Sequence, residues 1–179
     1  MKQLVFIGDS LTQWFSWASR FPEYQVTNLG ISGERVEELL HRMPSIHAEV
    51  KDPDCIFLMT GINNIGMGTY DIIDTYRQVV LDLATQYKSS KLVIQSILPI
   101  TLAWIDISRI KDINLQLKEI AHEFNAAYLD VHTLFVDTQG NPRTECLQED
   151  GVHLSSKGYE VWSGEIERFL KSWGKTFGR

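Results

Sequence analysis

Leu4-Val5-Phe6-Ile7, followed at once by Gly8-Asp9-Ser10-Leu11, is the stretch on which the architecture turns. Four consecutive apolar residues before a glycine fit a short strand covered on both faces. Leu11, Trp14, Phe15 and Ala18 then recur at helical spacing. The same alternation continues along the chain. Gln25 to Leu29 reads as a second strand, followed by Gly30 and Gly33, and Val36, Leu39, Leu40 and Met43 mark a short helix that Pro44 helps to end. Asp54 to Met59 is a third strand, with Gly61, Gly66 and Gly68 in a long turn after it. Ile73, Tyr76, Val80, Leu83 and Tyr87 stripe a longer helix; Leu92 to Ile97 is a fourth strand, closed by Pro99. Ile107, Ile110, Leu117, Ile120 and Phe124 stripe another helix, Ala127 to Leu129 is a short fifth strand, and Tyr159, Trp162, Ile166, Phe169 and Trp173 stripe the last helix, with Ser155 as its N-cap. Strands separated by helices predict an α/β fold, a parallel sheet with helices on both faces. No linker, repeat or low-complexity segment interrupts the pattern, so residues 1–179 read as a single domain.

The 179 residues are 44% hydrophobic and 22% charged, ordinary for a chain with a real core, and the formal net charge is -6. Without a cluster of Lys and Arg, that charge speaks against nucleic acid or an anionic membrane as the main partner. Two cysteines, Cys55 and Cys146, suggest neither a disulfide framework nor a metal site and fit a reducing compartment. The chain enters its first strand after Met1-Lys2-Gln3, too soon for a signal-peptide core, and no apolar run approaches the ~18 residues of a membrane span. Cytoplasmic localisation is the default expectation; oligomeric state is not legible.

In open parallel sheets ligands lie outside the carboxyl ends of the strands, where strand order reverses. The chemically capable residues fall there: Gly8-Asp9-Ser10-Leu11 after strand one, Asn28 to Gly33 after strand two, Gly61-Ile62-Asn63-Asn64 after strand three, and Asp150-Gly151-Val152-His153 before the last helix. A serine hydroxyl needs a base, and a histidine suits that task. Ser10 opens a helix, so its N–H lies among donors that favour developing negative charge. Asp150, three residues before His153, can fold back onto the imidazole. The Gly30 N–H and the Asn63 side-chain amide could complete an oxyanion hole with the Ser10 N–H. In the strand order 2-1-3-4-5 these loops meet over one point.

Gly8-Asp9-Ser10-Leu11, Gly30, Gly61-x-Asn63 and Asp150-x-x-His153 resemble, in order and role, the Ser, Gly, Asn and His blocks of the SGNH hydrolases, also called G-D-S-L lipases and acylhydrolases. The chain looks similar in particular to esterases of the platelet-activating-factor acetylhydrolase type. The resemblance implies a flavodoxin-like three-layer α/β/α sandwich and hydrolysis of a small-molecule ester without metal or cofactor. It gives Ser10 as nucleophile, His153 as base, Asp150 as its orienter, and Ser10, Gly30 and Asn63 as oxyanion donors. The third block often reads Gly-x-Asn-Asp, and Asn64 stands here in place of the Asp; that departure bears on substrate preference more than on catalysis. The short chain has no inserted lid, which favours acetyl or other short acyl groups.

Other readings accompany these. Leu11, Trp14, Leu98, Trp104 and Ile105 are candidates to line an acyl pocket, with plain packing as the alternative. Asp9 reads as a brace of its turn and Asn64 as a brace of its own loop. His41, His47, His122 and His132 read as surface or packing residues, Asp130 with His132 as a weaker rival pair, and Arg109 as part of a solvated helix face. A flavodoxin-like phosphoryl-binding module, or an inactive relative, is the alternative function.

Overall fold

Leu4 to Ile7 and Cys55 to Met59 are buried at every position, so both faces of the central strands must be covered. A computed structural model describes residues 1–176. Its five strands, β1 (Gln3–Gly8), β2 (Gln25–Gly30), β3 (Cys55–Met59), β4 (Lys91–Gln95) and β5 (Ala127–Leu129), form one sheet of order β2-β1-β3-β4-β5, parallel throughout. This is the predicted order. The helices are α1 (Ser10–Gln13), α2 (Trp17–Arg20), α3 (Val36–Glu49), α4 (Ile62–Gly66), α5 (Ile73–Gln86), α6 (Ile107–Glu123) and α7 (Ser156–Thr176).

Side chains alternate across a strand, and Phe6 and Phe57, paired in register, share a face. Phe6 stacks on Trp17 at 4.3 Å and on Phe57 at 5.0 Å, while Trp162 and Phe169 of α7 meet Trp17 and Phe57 edge-on. α2 and α7 therefore cover this face with aromatic rings, each contributing about 1.5–3 kcal/mol by burial. The other face falls to the remaining long helices: α3 packs on α5, and α6 on α5, β4 and β5. Ser155 caps α7 as expected, its Oγ accepting from the Gly158 N–H at 3.2 Å. Among the described residues no helix is long and apolar enough to cross a membrane.

Three elements depart from the periodicity, each for a tertiary reason. α3 does not stop at Pro44 but runs on to Glu49. Pro44 lies on the solvent side, while Met43, Ile46 and Val50 are buried, and that packing outweighs one missing N–H. The first helical stripe is instead two short helices. The Asn28 amide donates to the carbonyls of Thr12 (3.0 Å), Gln13 (3.3 Å) and Phe15 (3.3 Å), terminating α1, and Trp17 rather than Phe15 carries the burial. β4 ends at Gln95 because Asn114 of α6 takes both backbone groups of Ile97, accepting its N–H at 2.8 Å and donating to its carbonyl at 2.9 Å.

Candidate active site

The strand register levels the loops that carry the reactive groups. Gly8 pairs with Gly30 on one side and Met59 on the other, so β1, β2 and β3 end in one row. Ser10, the segment Ile31 to Arg35 and Asn63 leave that row together. The fourth segment is brought in from the far end of the chain: the Thr101 N–H donates to the Gly151 carbonyl at 2.9 Å, and the Gln148 N–H to the His153 carbonyl at 2.7 Å.

There the side chains of Ser10, His153 and Asp150 form one line. Asp150 Oδ2 lies 2.6 Å from His153 Nδ1, and Ser10 Oγ lies 3.0 Å from Nε2. An ionised carboxylate only accepts, so Nδ1 carries the proton and bare Nε2 accepts from the Ser10 hydroxyl. Asp150 Oδ1 also accepts the N–H groups of Val152 and His153, both at 2.9 Å. Partial burial works against ionisation of Asp150, but the imidazole and those two N–H groups together hold its carboxyl below the usual range. The imidazole is thus supplied with a fixed tautomer and a charged partner.

The donors around Ser10 differ in one place from expectation. The Gly30 N–H is already engaged, donating to Asn28 Oδ1 at 3.0 Å, and an added Cβ at Gly30 would lie 2.8 Å from the Asp9 carbonyl. Gly30 lets β2 approach α1 closely, and its N–H is held by the Asn28 side chain. Gly33, three residues on, has φ 78, is exposed, and among the described residues its N–H has no hydrogen-bond partner. Asn63 Nδ2 donates to the carbonyl of Glu34 at 2.9 Å, which leaves its second N–H free and sets the amide beside Gly33. Asn64 braces its own turn as expected, its backbone carbonyl accepting the N–H groups of Met67 at 3.1 Å and Thr69 at 2.9 Å, and its side chain braces α3 as well. Fully buried, it accepts the Val36 N–H at 3.0 Å and donates to Glu37 Oε2 at 2.9 Å. An Asp in its place would set two carboxylates face to face, so the amide here is matched to Glu37.

The model of the GDSL-like lipase/acylhydrolase family matches residues 6–161, spanning every one of these groups. The chain belongs to that family. It is a carboxylic ester hydrolase, and the rival reading as a phosphoryl-binding module is set aside. Human platelet-activating factor acetylhydrolase IB subunit alpha1 is 25% identical over 166 residues, covering 88% of this chain and 70% of the relative. Among solved structures, a Streptococcus pneumoniae protein described as a candidate platelet activating factor aligns with TM-score 0.84 and 24% identity, over 94% of this chain and 84% of its own. An acetylxylan esterase from Geobacillus stearothermophilus aligns with TM-score 0.77 and 22% identity, over 93% of each chain.

The remaining candidates of this acylhydrolase scatter. Leu11 and Leu98 are 1% exposed and Ile105 is 8% exposed, all three within the core. Trp104 stands out in solvent, its Nε1 donating to the Gly66 carbonyl at 3.1 Å. Trp14 meets the reactive line, stacking on the His153 ring. Arg109 lies over the Tyr70 ring at 4.5 Å. The rival pair is a brace: Asp130 Oδ1 accepts the Thr133 N–H, while His132 Nδ1 meets the Ile97 carbonyl at 2.9 Å in a site whose burial lowers its pKa. His47 ties α3 to α5 through Tyr87 and Asp82, and His41 and His122 are exposed.

Asp9 lies buried beside the serine. Its Oδ1 accepts the Leu11 N–H at 3.0 Å, as a turn brace should, and its Oδ2 has no partner among the described residues. Burial pushes the carboxyl up to about 7; the Leu11 N–H opposes that rise and the Glu34 carboxylate adds to it. The folded acylhydrolase therefore holds a proton that the unfolded chain, with a carboxyl near ~3.9, has released. Stability from this site is present below that value and is lost as pH rises through about 7. Asp9→Asn cannot ionise, so it is expected to gain on the parent by up to about 1.4 kcal/mol per pH unit across that window. Urea midpoints of both proteins across the same window measure the gap; curves that stay parallel would show an Asp9 ionised throughout.

Proposed function

We propose that this acylhydrolase cleaves short-chain carboxylic esters, acetyl esters first among them, through a covalent acyl-Ser10 intermediate. The observation that carries the reading is the unbroken line from Ser10 Oγ through His153 to Asp150, at 3.0 and 2.6 Å. His153 Nε2 takes the hydroxyl proton as Ser10 Oγ attacks the ester carbonyl. The tetrahedral oxyanion is received by the Ser10 N–H, by Asn63 Nδ2 and by the Gly33 N–H, which takes the place first given to Gly30. The imidazolium, steadied by Asp150, returns the proton to the leaving alkoxide. Water then repeats the sequence on the acyl-enzyme and regenerates the free hydroxyl.

Small acyl groups suit the surroundings. Trp14, Ile31, Ser32 and Gly33 are exposed, and the flanking apolar residues Leu11, Leu98 and Ile105 are packed into the core. The acetylhydrolase and acetylxylan esterase among the similar proteins act on acetyl groups by name, which supports the same preference here. Two buried free cysteines fit a reducing, cytoplasmic setting.

Incubation with a serine-directed fluorophosphonate is expected to add one adduct by intact mass, located on Ser10 and absent from Ser10→Ala. An unlabelled parent, or equal labelling of the variant, removes the acyl-serine mechanism. p-Nitrophenyl esters of increasing chain length then rank the acyl preference, with acetate expected to lead.

A further inference from the structure

Trp14 is the aromatic residue that the acyl-pocket reading leaves unexplained: it is 52% exposed, yet it is held in place on three sides. Its backbone N–H closes α1 onto the Ser10 carbonyl at 3.0 Å. Its Nε1 donates to Ser32 Oγ at 2.9 Å; Ser32 Oγ in turn donates to Gln13 Oε1, which also accepts the Ser32 N–H at 2.9 Å. One face of the indole lies on the imidazole of His153, ring centres 4.1 Å apart and planes 15° from parallel.

We propose that Trp14 is a positioning residue for the base, acting through His153 rather than as a wall of the acyl pocket. The inference rests on the acyl-Ser10 reading above. Ser10 and Trp14 are four residues apart on a single helical turn, so they project from one face of α1. The same imidazole therefore meets a hydroxyl at Nε2 and an indole against its ring face. This matters most once Ser10 Oγ has given its proton to Nε2 and bonded to the ester carbonyl carbon. The hydrogen bond to Nε2 is then gone, and Asp150, whose side chain is 47% exposed, is among the described residues the only polar group left holding the ring. The indole blocks rotation out of line, so Nε2 still faces the leaving alkoxide and afterwards the attacking water. The negative face of the indole also favours the imidazolium formed in each proton transfer. The Gln13–Ser32 tie makes the support rigid, because it joins α1 to the loop that carries Gly33.

The test compares Trp14→Leu, Trp14→Phe and Ser32→Ala with the parent, using kcat and KM on p-nitrophenyl acetate and butyrate. Trp14→Leu is expected to lower kcat roughly tenfold to fiftyfold on both esters, with KM within about threefold of the parent. Trp14→Phe keeps a flat ring and is expected to recover to within about fivefold of the parent. NMR adds a readout that needs no turnover. The ring C–H protons of His153 should resonate upfield in the parent, under the indole ring current, and move toward random-coil positions in Trp14→Leu. A raised KM or an altered chain-length preference at constant kcat would make Trp14 a pocket wall and overturn the proposal, as would equal kcat in all variants. Should Trp14→Leu not fold, Ser32→Ala carries the test alone. About a threefold fall in kcat with shifted His153 resonances supports the proposal; an unchanged kcat and spectrum overturns it. Failure of the acyl-serine mechanism has a different signature, a parent without a fluorophosphonate adduct.

Discussion

His153→Ala is expected to lower kcat on p-nitrophenyl acetate by a factor on the order of 10⁶, the scale set by removing the base from a serine hydrolase triad. The reasoning starts from the hydroxyl. Ser10 is 4% exposed, and His153 Nε2, 3.0 Å away, is the group placed to take its proton. Without it the serine stays protonated at neutral pH and the leaving alkoxide has no acid. Asp150→Ala should cost less, about 10⁴-fold, because it removes the partner that fixes the tautomer and leaves the base itself in place. The ordering, with His153 above Asp150, is as informative as either value. Folding should hardly change. Among the described residues the His153 ring meets Ser10, Asp150 and half-exposed Trp14, so truncation opens no cavity in the core. Steady-state kinetics with a thermal melt of each variant checks both halves. A His153→Ala protein that keeps even a few per cent of parental turnover would mean that proton transfer runs through another group.

How much of this was legible beforehand depends on whether a feature is set by local pattern or by a partner far along the chain. Runs such as Leu4 to Ile7 and Cys55 to Met59 are apolar at every position because they are buried on both faces, so the strands could be read directly, while the order β2-β1-β3-β4-β5 followed from the family resemblance. The end of α3 could not. Pro44 is a sound stop signal in isolation, and it is overridden by the burial of Ile46 and Val50 beyond it. The break in the first helix was hidden for the same reason, since it is made by the Asn28 amide reaching over from β2.

Within the site, Ser10, His153 and Asp150 were singled out by residue type at strand ends and before the last helix, and they lie within hydrogen-bond distance of one another in a line. Gly30 and Gly33 show what such reading lacks. Gly30 ends β2 and Gly33 stands three residues on in the loop, and what separates them is whether the N–H is already engaged. A usable signal existed: an asparagine commonly accepts from the N–H two residues on, and Asn28 stands two before Gly30. Trp14 carried a signal as well, its spacing of four from the serine, which points at whatever the serine touches.

Asn63→Ala is expected to lower kcat by about 10²–10³-fold with KM little changed, equivalent to roughly 2.7–4 kcal/mol of lost transition-state stabilisation. The size follows from what the amide does at each stage. One N–H of Nδ2 is committed to the Glu34 carbonyl at 2.9 Å, which fixes the direction of the other before substrate arrives. A donor fixed in advance pays no reorganisation as the carbonyl oxygen becomes an oxyanion, and it contributes far less to the neutral ester. The loss should therefore fall on kcat. The Glu34 contact raises a competing account, in which Asn63 matters only as a brace for the loop that presents Gly33. A brace-only residue would cost about one hydrogen bond, roughly 0.5–1.5 kcal/mol, visible as a lower melting temperature with turnover within about threefold. Asn63→Asp separates the two further, since a carboxylate keeps the shape, cannot donate and repels the developing charge. If oxyanion donation governs, Asp should be at least as damaging as Ala. If Asn63→Ala turns over within threefold of the parent, the oxyanion rests on the backbone N–H groups of Ser10 and Gly33 alone, and the side-chain amide leaves the mechanism.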